Sequence, residues 1–295
     1  MFLPDFFVVG APKSGTTALF DCLKQHPDIF MSPVKEPKYF LFGGAPPRIQ
    51  PGPAGKRNLG VGVWRSSDYF RLFAGAQDHQ KKGEATTDYL RSPEAAHRIK
   101  GNLPKARIIA LLRQPADRAY SHYLYMVQQA VEPARTFQEA LAEEGTRIAQ
   151  DWFSGLYYKT NGFYGRQLRV WYDLFPRDQI KVCLYEDWCR TPHAMLADVF
   201  QFLKVNPDFQ PVLARSNVTR VPRSRRLHSL ALRPEQTTEK WGRLAAAIIQ
   251  RMDQNYNLSS PPPLEPLIRQ KLTEEYREDT LSLQELIGRD LSQWL

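Results

Sequence analysis

The stretch GAPKSGTTAL, residues 10–19, has the glycine spacing of a phosphate-holding turn, yet its lysine, Lys13, stands before the second glycine. In the nucleotide triphosphatase pattern G-x-x-x-x-G-K-[ST] the lysine follows that glycine and reaches the β- and γ-phosphates. Here Thr16 fills the place. Main-chain amides of a glycine turn, together with the N–H groups that open a helix, form a concavity favouring negative charge. Gly10 and Gly15 suit such a turn, Lys13 adds a point charge, and Thr16 and Thr17 supply hydroxyl donors. Taken alone, two glycines more often make a tight turn with a solvated lysine. The residues on either side favour the anion site.

A second basic feature is SNVTRVPRSRRLH, where Arg220, Arg223, Arg225 and Arg226 occur without an acid among them. Read alone, it is a solvated loop. A metal-dependent triphosphate site also needs an acid ending a neighbouring strand to organise Mg²⁺. RIIALLR ends in Arg113, whereas KVCLYED ends in Glu186 and Asp187, which are read here as structural acids.

These groups must be positioned by regular elements. DFFVVGA, residues 5–11, is rich in aromatic and β-branched residues and predicts a buried strand. TTALFDCLKQH spaces Leu19 and Leu23 as a helix that stops near Pro27. GGAPPRIQPGPAGKRNLGVG, residues 43–62, is Gly/Pro-dense and predicts a long surface excursion. Ser92 and Pro93 open a helix, RIIALLR at 107–113 is a further strand, and PADRAYSHYLYMVQQ a further helix. Thr136 and Glu139 form a capping box. FYGRQLRVWYDLF carries Leu168, Trp171, Tyr172 and Phe175 at helical spacing, QIKVCLYED at 179–187 reads as a strand, and TPHAMLADVFQFL as a helix capped by Thr191. The last third reads as helical. Alternating strands and helices predict an α/β fold: one parallel sheet flanked by helices, with ligands beyond the carboxyl ends of the strands.

At 295 residues, one large domain over 1–295 is the expected organisation. Hydrophobic residues at 42% and charged residues at 24% exclude wholesale disorder. The net charge of +9 favours an anionic ligand without choosing among nucleotide, nucleic acid and acidic glycan. Cys22, Cys183 and Cys189 have neither the even count of a disulfide framework nor C-x-x-C spacing, so they are read as reduced. No basic segment precedes the first apolar stretch and no run of 18 apolar residues occurs, which predicts a soluble, cytoplasmic protein without a membrane span. Asn217-Val218-Thr219 fits a glycosylation sequon, which matters only in a secreted chain.

FFVVGAPKSGTTAL resembles the 5′-phosphosulfate loop of sulfotransferases that use 3′-phosphoadenosine 5′-phosphosulfate (PAPS), and ALLRQPADRAYSHY resembles their 3′-phosphate motif. The likeness continues through KEPKYF, GEATTDYL, the 162–187 segment, SNVTRVPRSRRL and LIGRDLSQWL, covering most of the chain. GTTAL followed by KEPKYF is closer to the bacterial and Golgi carbohydrate (heparan-type) branch than to the cytosolic phenol and steroid branch. The resemblance implies a P-loop kinase-like sulfotransferase fold. It implies that Lys13, Ser14, Gly15, Thr16 and Thr17 hold the 5′ end of PAPS, that Arg113 and Ser121 hold its 3′-phosphate, and that Arg220, Arg223 and Ser224 belong to a loop closing over the nucleotide. Seen without the family, Arg113 is equally a surface ion-pair partner and Ser121 an exposed hydroxyl.

The implied reaction moves a sulfuryl group from PAPS to an acceptor hydroxyl, or an amine, and leaves PAP. Positioning and electrostatics carry such a transfer, with Lys13 neutralising charge on the leaving phosphate and no metal required. Glu36 in SPVKEPKYF matches the family's acidic base; Glu84 is the reserve, with His79 and His122 behind it. Heparan-type relatives have a lysine after the acid matching Glu84, whereas this chain has Ala85, with Lys82 as a substitute. Acceptors from glycans to small metabolites fit this reading, nucleic acid does not, and nothing fixes an oligomeric state. The competing readings are a Mg²⁺-dependent P-loop small-molecule kinase and a non-enzymatic polyanion or nucleic-acid binder using the 220–226 arginines.

Overall fold

The computed structural model describes residues 3–48, 50–53, 62–213, 220–232, 249 and 251–295. The sequon at 217–219 lies outside them. Five parallel strands form the central sheet: β1 Phe6–Gly10, β2 Ile29–Met31, β3 Lys81–Ala85, β4 Arg107–Leu112 and β5 Ile180–Leu184, in the order β2-β3-β1-β4-β5. β1 is central, with Phe7 beside Glu84 of β3 on one side and Ile108 of β4 on the other. The strand carrying the glycine turn and the strand ending before Arg113 are therefore neighbours, although about a hundred residues separate them.

The pleat sends successive side chains to opposite faces, and both faces are covered. Phe7, Val9, Ile108, Ala110 and Leu112 join one cluster with Ile99, Leu168 and Trp171. Phe6, Val8, Ile109 and Leu111 join a second with Leu19, Leu23, Leu196 and Phe200. The second face packs α1 (Thr16–Leu23), and the first receives α2 (Tyr39–Phe42), α3 (Ser66–Arg71) and α4 (Pro93–Asn102). Strand runs buried on both sides are why FFVVG and RIIALL read as nearly unbroken apolar segments.

α4 starts where expected, Ser92 Oγ accepting from the Ala95 N–H with Pro93 following. α5 (Pro115–Gln128) leads to α6 (Phe137–Ala142), whose capping box of Thr136 and Glu139 is present in full, and α7 (Glu144–Ala149) follows. α8 (Tyr164–Leu174) buries Leu168 and Trp171. β5 ends at Leu184, so Tyr185, Glu186 and Asp187 open a helix, α9 (Tyr185–Arg190), and do not extend the strand. α10 (Pro192–Leu203) follows Thr191, whose side chain makes no capping hydrogen bond.

The last third is not purely helical. α11 (Arg225–Ala231) is preceded by β6 (Val221–Pro222), which pairs antiparallel with β7 (Leu258–Ser259) before α12 (Pro266–Ile287). A two-residue pairing is too short to leave an alternating pattern in sequence. α12 packs on α8 and α5 through Leu272, Tyr276 and Leu283. Among the described residues no helix is long and apolar enough to cross a membrane.

Candidate active site

All five central strands run the same way, so the segments following β1, β2, β3 and β4 emerge at one edge of the sheet. Arg113 meets the Lys13 turn there, Thr87 meets Glu36, and Lys35 next to Glu36 is near enough to repel Lys13.

Gly15 adopts φ 91°, a left-handed conformation closed to most side chains, and directly precedes α1. A Cβ there would lie 3.0 Å from the Tyr185 ring. Lys13 also has a positive φ, 68°, and its ammonium lies 4.5 Å from the centre of the Tyr125 ring. Burial, and then the charges of Arg113 and Lys35, lower its pKa to about 8. An anion in the turn would relieve that repulsion. The Ser14 hydroxyl is fully buried near the buried Tyr164 hydroxyl, and neither makes a hydrogen bond of ordinary geometry to a described residue. An unpaired buried donor is costly, and its location inside the turn suits an oxyanion. Thr16 is buried at the first turn of α1 and Thr17 is exposed.

Arg113 joins this site from β4: its Nη1 donates to the Lys13 carbonyl at 3.4 Å, and its guanidinium stacks 4.8 Å from the Tyr185 ring centre. The residues expected to form the two anion grips are thus in contact across the β1–β4 pair. Ser121 is half-buried on α5, the helix capped by Gln114 after that strand. β6 packs on α5, bringing 220–224 to the side of the fold that carries Ser121.

Within that loop the roles divide. Arg220 and Arg223 are exposed. Ser224 caps α11, its hydroxyl accepting from the Leu227 N–H at 3.3 Å, while its own N–H donates to Asn257. Arg225 binds the Ala134 carbonyl at 2.6 Å and the Tyr123 hydroxyl at 2.7 Å, so it is a structural clamp. His228 adds a second clamp through Asp253 and the Gln128 carbonyl, both at 2.7 Å.

Glu36 sits in the loop after β2 with φ 60°. Its carboxylate accepts from the Thr87 hydroxyl at 2.9 Å and the Thr87 N–H at 3.0 Å, and from Lys35 at 3.2 Å. Its own N–H donates to the Ala85 carbonyl at 2.8 Å. The side chain remains 28% exposed, enough to meet a substrate. The flanking Lys35 does pair with Glu36, while Thr87 is a contact of the carboxylate that sequence reasoning did not single out. Its signal was its place in the quoted GEATTDYL.

The reserve candidates for proton removal are placed differently. Glu84 has no exposed surface; it accepts from the Tyr69 hydroxyl, and from the Thr86 hydroxyl at 2.7 Å. Burial pushes it up to about 7 against the hydrogen bonds from Tyr69, Thr86 and Tyr89. It faces protein on every side, and not the crevice. His122 is buried beside Arg118, with burial and then Arg118 holding it well below its ordinary value. His79 is exposed ahead of β3, at the amino edge of the sheet and away from the site. Lys82 lies near that edge too, its N–H bound to Asp5 at 2.7 Å, so it does not supply the charge expected beside Glu84. Lys38 stands closer to the site: its N–H donates to the Thr86 hydroxyl and its ammonium pairs with Asp88 at 2.9 Å.

Of the two acids that a kinase reading would use, Glu186 stays beside the site with its Oε2 buried and without a hydrogen-bond partner among the described residues, whereas Asp187 is held in an ion pair. Glu186 accepts the Gln114 N–H at 3.0 Å, and Asp187 pairs with Arg289 at 2.5 Å.

Comparisons with known proteins agree with this geometry. The family described as the sulfotransferase domain matches residues 3–224. The crystal structure of a sulfotransferase from Alicyclobacillus acidocaldarius superposes with a TM-score of 0.77 at 32% identity, covering 100% of this chain and 99% of that one. Human carbohydrate sulfotransferase 15 is 26% identical over 258 residues, 70% of this chain and 44% of its own. Human bifunctional heparan sulfate N-deacetylase/N-sulfotransferase 3 is 26% identical over 305 residues, 99% of this chain and 31% of its own. The chain thus spans less than half the length of these two curated relatives.

Proposed function

The chain belongs to the sulfotransferase domain family, and from that premise we propose that it transfers a sulfuryl group from PAPS to an acceptor hydroxyl. One observation carries the reading: Lys13 and Arg113, a hundred residues apart, meet in the crevice beside which Thr87 fixes a partly exposed Glu36.

The residues fit the donor. The glycine turn with its buried, unpartnered Ser14 hydroxyl, Thr16, Thr17 and the opening amides of α1 would hold the 5′-phosphosulfate. Arg113 and Ser121 would hold the 3′-phosphate, and Arg220 and Arg223 would approach from the loop packed on α5. Ser224 would act there as the cap that fixes the loop's exit into α11. When bound, the donor supplies an electrophilic sulfur: the acceptor O–S bond forms as the S–O bond to the 5′-phosphate breaks, and the electron pair leaves with PAP. Lys13 steadies that departing charge. Glu36 takes the proton from the acceptor hydroxyl, and its hydrogen bonds to Thr87 orient it for the task. Glu84 holds Thr86 from below, which in turn receives the Lys38 N–H; it is a positioning residue.

Neighbours of the family act on carbohydrate by name, and a glycan or small-molecule acceptor is compatible with the crevice. The free cysteines fit a reducing compartment, which supports cytoplasmic action, and the 32% identity with a bacterial enzyme supports the bacterial branch.

Two measurements test the proposal. PAP should raise the melting temperature, while ATP with Mg²⁺ should not; the reverse pattern would establish a kinase. Glu36→Gln should lower kcat by roughly 10²–10⁴-fold with PAP affinity unchanged. Full activity in that variant removes Glu36 from the role of base.

A further inference from the structure

A buried chain of polar side chains ties the 220–224 segment to the far end of α5. Asn257 grips that segment: its side-chain oxygen accepts from the Ser224 N–H at 2.6 Å, its amide donates to the Ser224 carbonyl at 3.0 Å, and its main-chain carbonyl accepts from the Arg223 N–H at 2.8 Å. The same amide donates to one Asp253 oxygen at 2.7 Å. The other Asp253 oxygen lies 2.7 Å from His228 Nδ1, and His228 Nε2 lies 2.7 Å from the Gln128 carbonyl. We infer that His228 is a positioning residue for the donor: with a proton in each of its two ring contacts it holds the backbone that carries Arg223 beside the nucleotide, and losing one proton releases it. The inference rests on the sulfotransferase reading, in which this segment closes over PAPS, and adds a proton-dependent control of donor binding.

The proton count comes from the partners. A main-chain carbonyl has no proton to give, and a neutral imidazole carries one N–H. If the His228–Asp253 pair held a single proton, two lone pairs would face each other at one of the two contacts. A proton in each contact satisfies the whole chain, and the count is the same whether the first sits on the ring or on Asp253. His228, Asp253 and Asn257 are each 4% exposed. Water therefore has little access to repair a lost contact, and an unsatisfied buried group is costly.

The charged surroundings are sparse. Among the described residues, Asp253 is the charged group in contact with the ring. Arg225, on the same helix, is turned to the Ala134 carbonyl and Tyr123, and Arg226 is exposed. Arg251, two residues before Asp253, is exposed as well. Glu132, past the end of α5, is taken by Arg147 at 2.7 and 2.9 Å.

The clamp connects to the donor site through α5. Val221 of β6 packs on the same cluster as Tyr120 and Tyr125 of that helix, and the Tyr125 ring lies 4.5 Å from the Lys13 ammonium. Arg223 itself is exposed and free of any described ion pair. The backbone on which it rides is thus fixed at Asn257, while its side chain is left to meet an anion.

The test uses the intact chain with PAP as the probe. Dissociation constants are measured calorimetrically between about pH 5 and 8, the range in which histidine changes charge, for the unmodified chain, Arg223→Ala, His228→Gln and the double variant. At the acid end, each single substitution should weaken PAP binding roughly tenfold, as expected for losing one charge-assisted contact. Both ratios to the unmodified chain should fall towards one as pH rises, and His228→Gln should change nothing in the Arg223→Ala background. The second ionisation of a PAP phosphate, near six, would alone make Arg223 count for more at higher pH, which is the opposite trend. The exposed Arg223→Ala series decides the matter even if His228→Gln does not fold. An Arg223→Ala ratio that is flat or rises with pH overturns the inference, as does a His228→Gln effect that persists without Arg223. Absence of PAP binding by the unmodified chain at every pH overturns the reading beneath it.

Discussion

Lys13 is surrounded by its own kind. Its pKa of about 8, against an ordinary 10.5, follows from burial first and then from Arg113 and Lys35, so folding favours its neutral amine. The cost of keeping it charged is present in full below pH 8 and is relieved as pH rises from about 8 towards 10.5. Relative to Lys13→Met, the ligand-free protein should therefore gain stability across that interval in urea titrations. An anion in the turn raises the lysine pKa, so PAP affinity should fall over the same interval by calorimetry, and Lys13→Met should show neither trend. A pH-independent difference between the two proteins would remove Lys13 from the anion site. Lys13 itself was legible from its position before Gly15. Its depressed pKa was not, because Arg113 comes from a different strand and only the β1–β4 pairing brings it near.

At the level of elements, the site depends on turns that follow strand ends. Gly15 makes the β1–α1 turn at φ 91°, where a side chain is strained and a Cβ would press on Tyr185 at 3.0 Å. Gly15→Ala should cost about 1 kcal/mol or more of stability and, if the proposed donor site holds, weaken PAP binding disproportionately, because the substitution distorts the amides proposed to meet the anion. Thr136→Ala gives the contrast: losing the capping box of α6 should cost about 1 kcal/mol with PAP affinity unchanged. Equal effects of both substitutions on PAP binding would show that general destabilisation explains the loss. The strands and most helices were readable from apolar runs and caps such as Ser92-Pro93. The β6–β7 pairing was not, since two residues carry no period, and Thr191 preceded a helix without capping it.

Across the whole molecule, the start of α5, next to Arg113, is braced by residues far along the chain. Trp294 is 2% exposed, and its carbonyl accepts from the Gln114 side chain at 3.4 Å, the same side chain whose oxygen caps α5. We propose that residues 1–295 act as one cooperative unit. Trp294→Ala should therefore cost roughly 3–5 kcal/mol in a single urea transition and shift the PAP-binding signal together with the fold. Two separated transitions would refute one unit. This brace is invisible in sequence: LIGRDLSQWL matches a family pattern, but nothing in its spacing points to Gln114.

The left-handed turns on either side of Pro37, at φ 60° for Glu36 and 62° for Lys38, carry an evolutionary consequence. β-branched residues are penalised at both positions by backbone shape alone, before any chemistry is sampled. Laboratory selection for new acceptors will accordingly find few viable routes through positions 36 and 38.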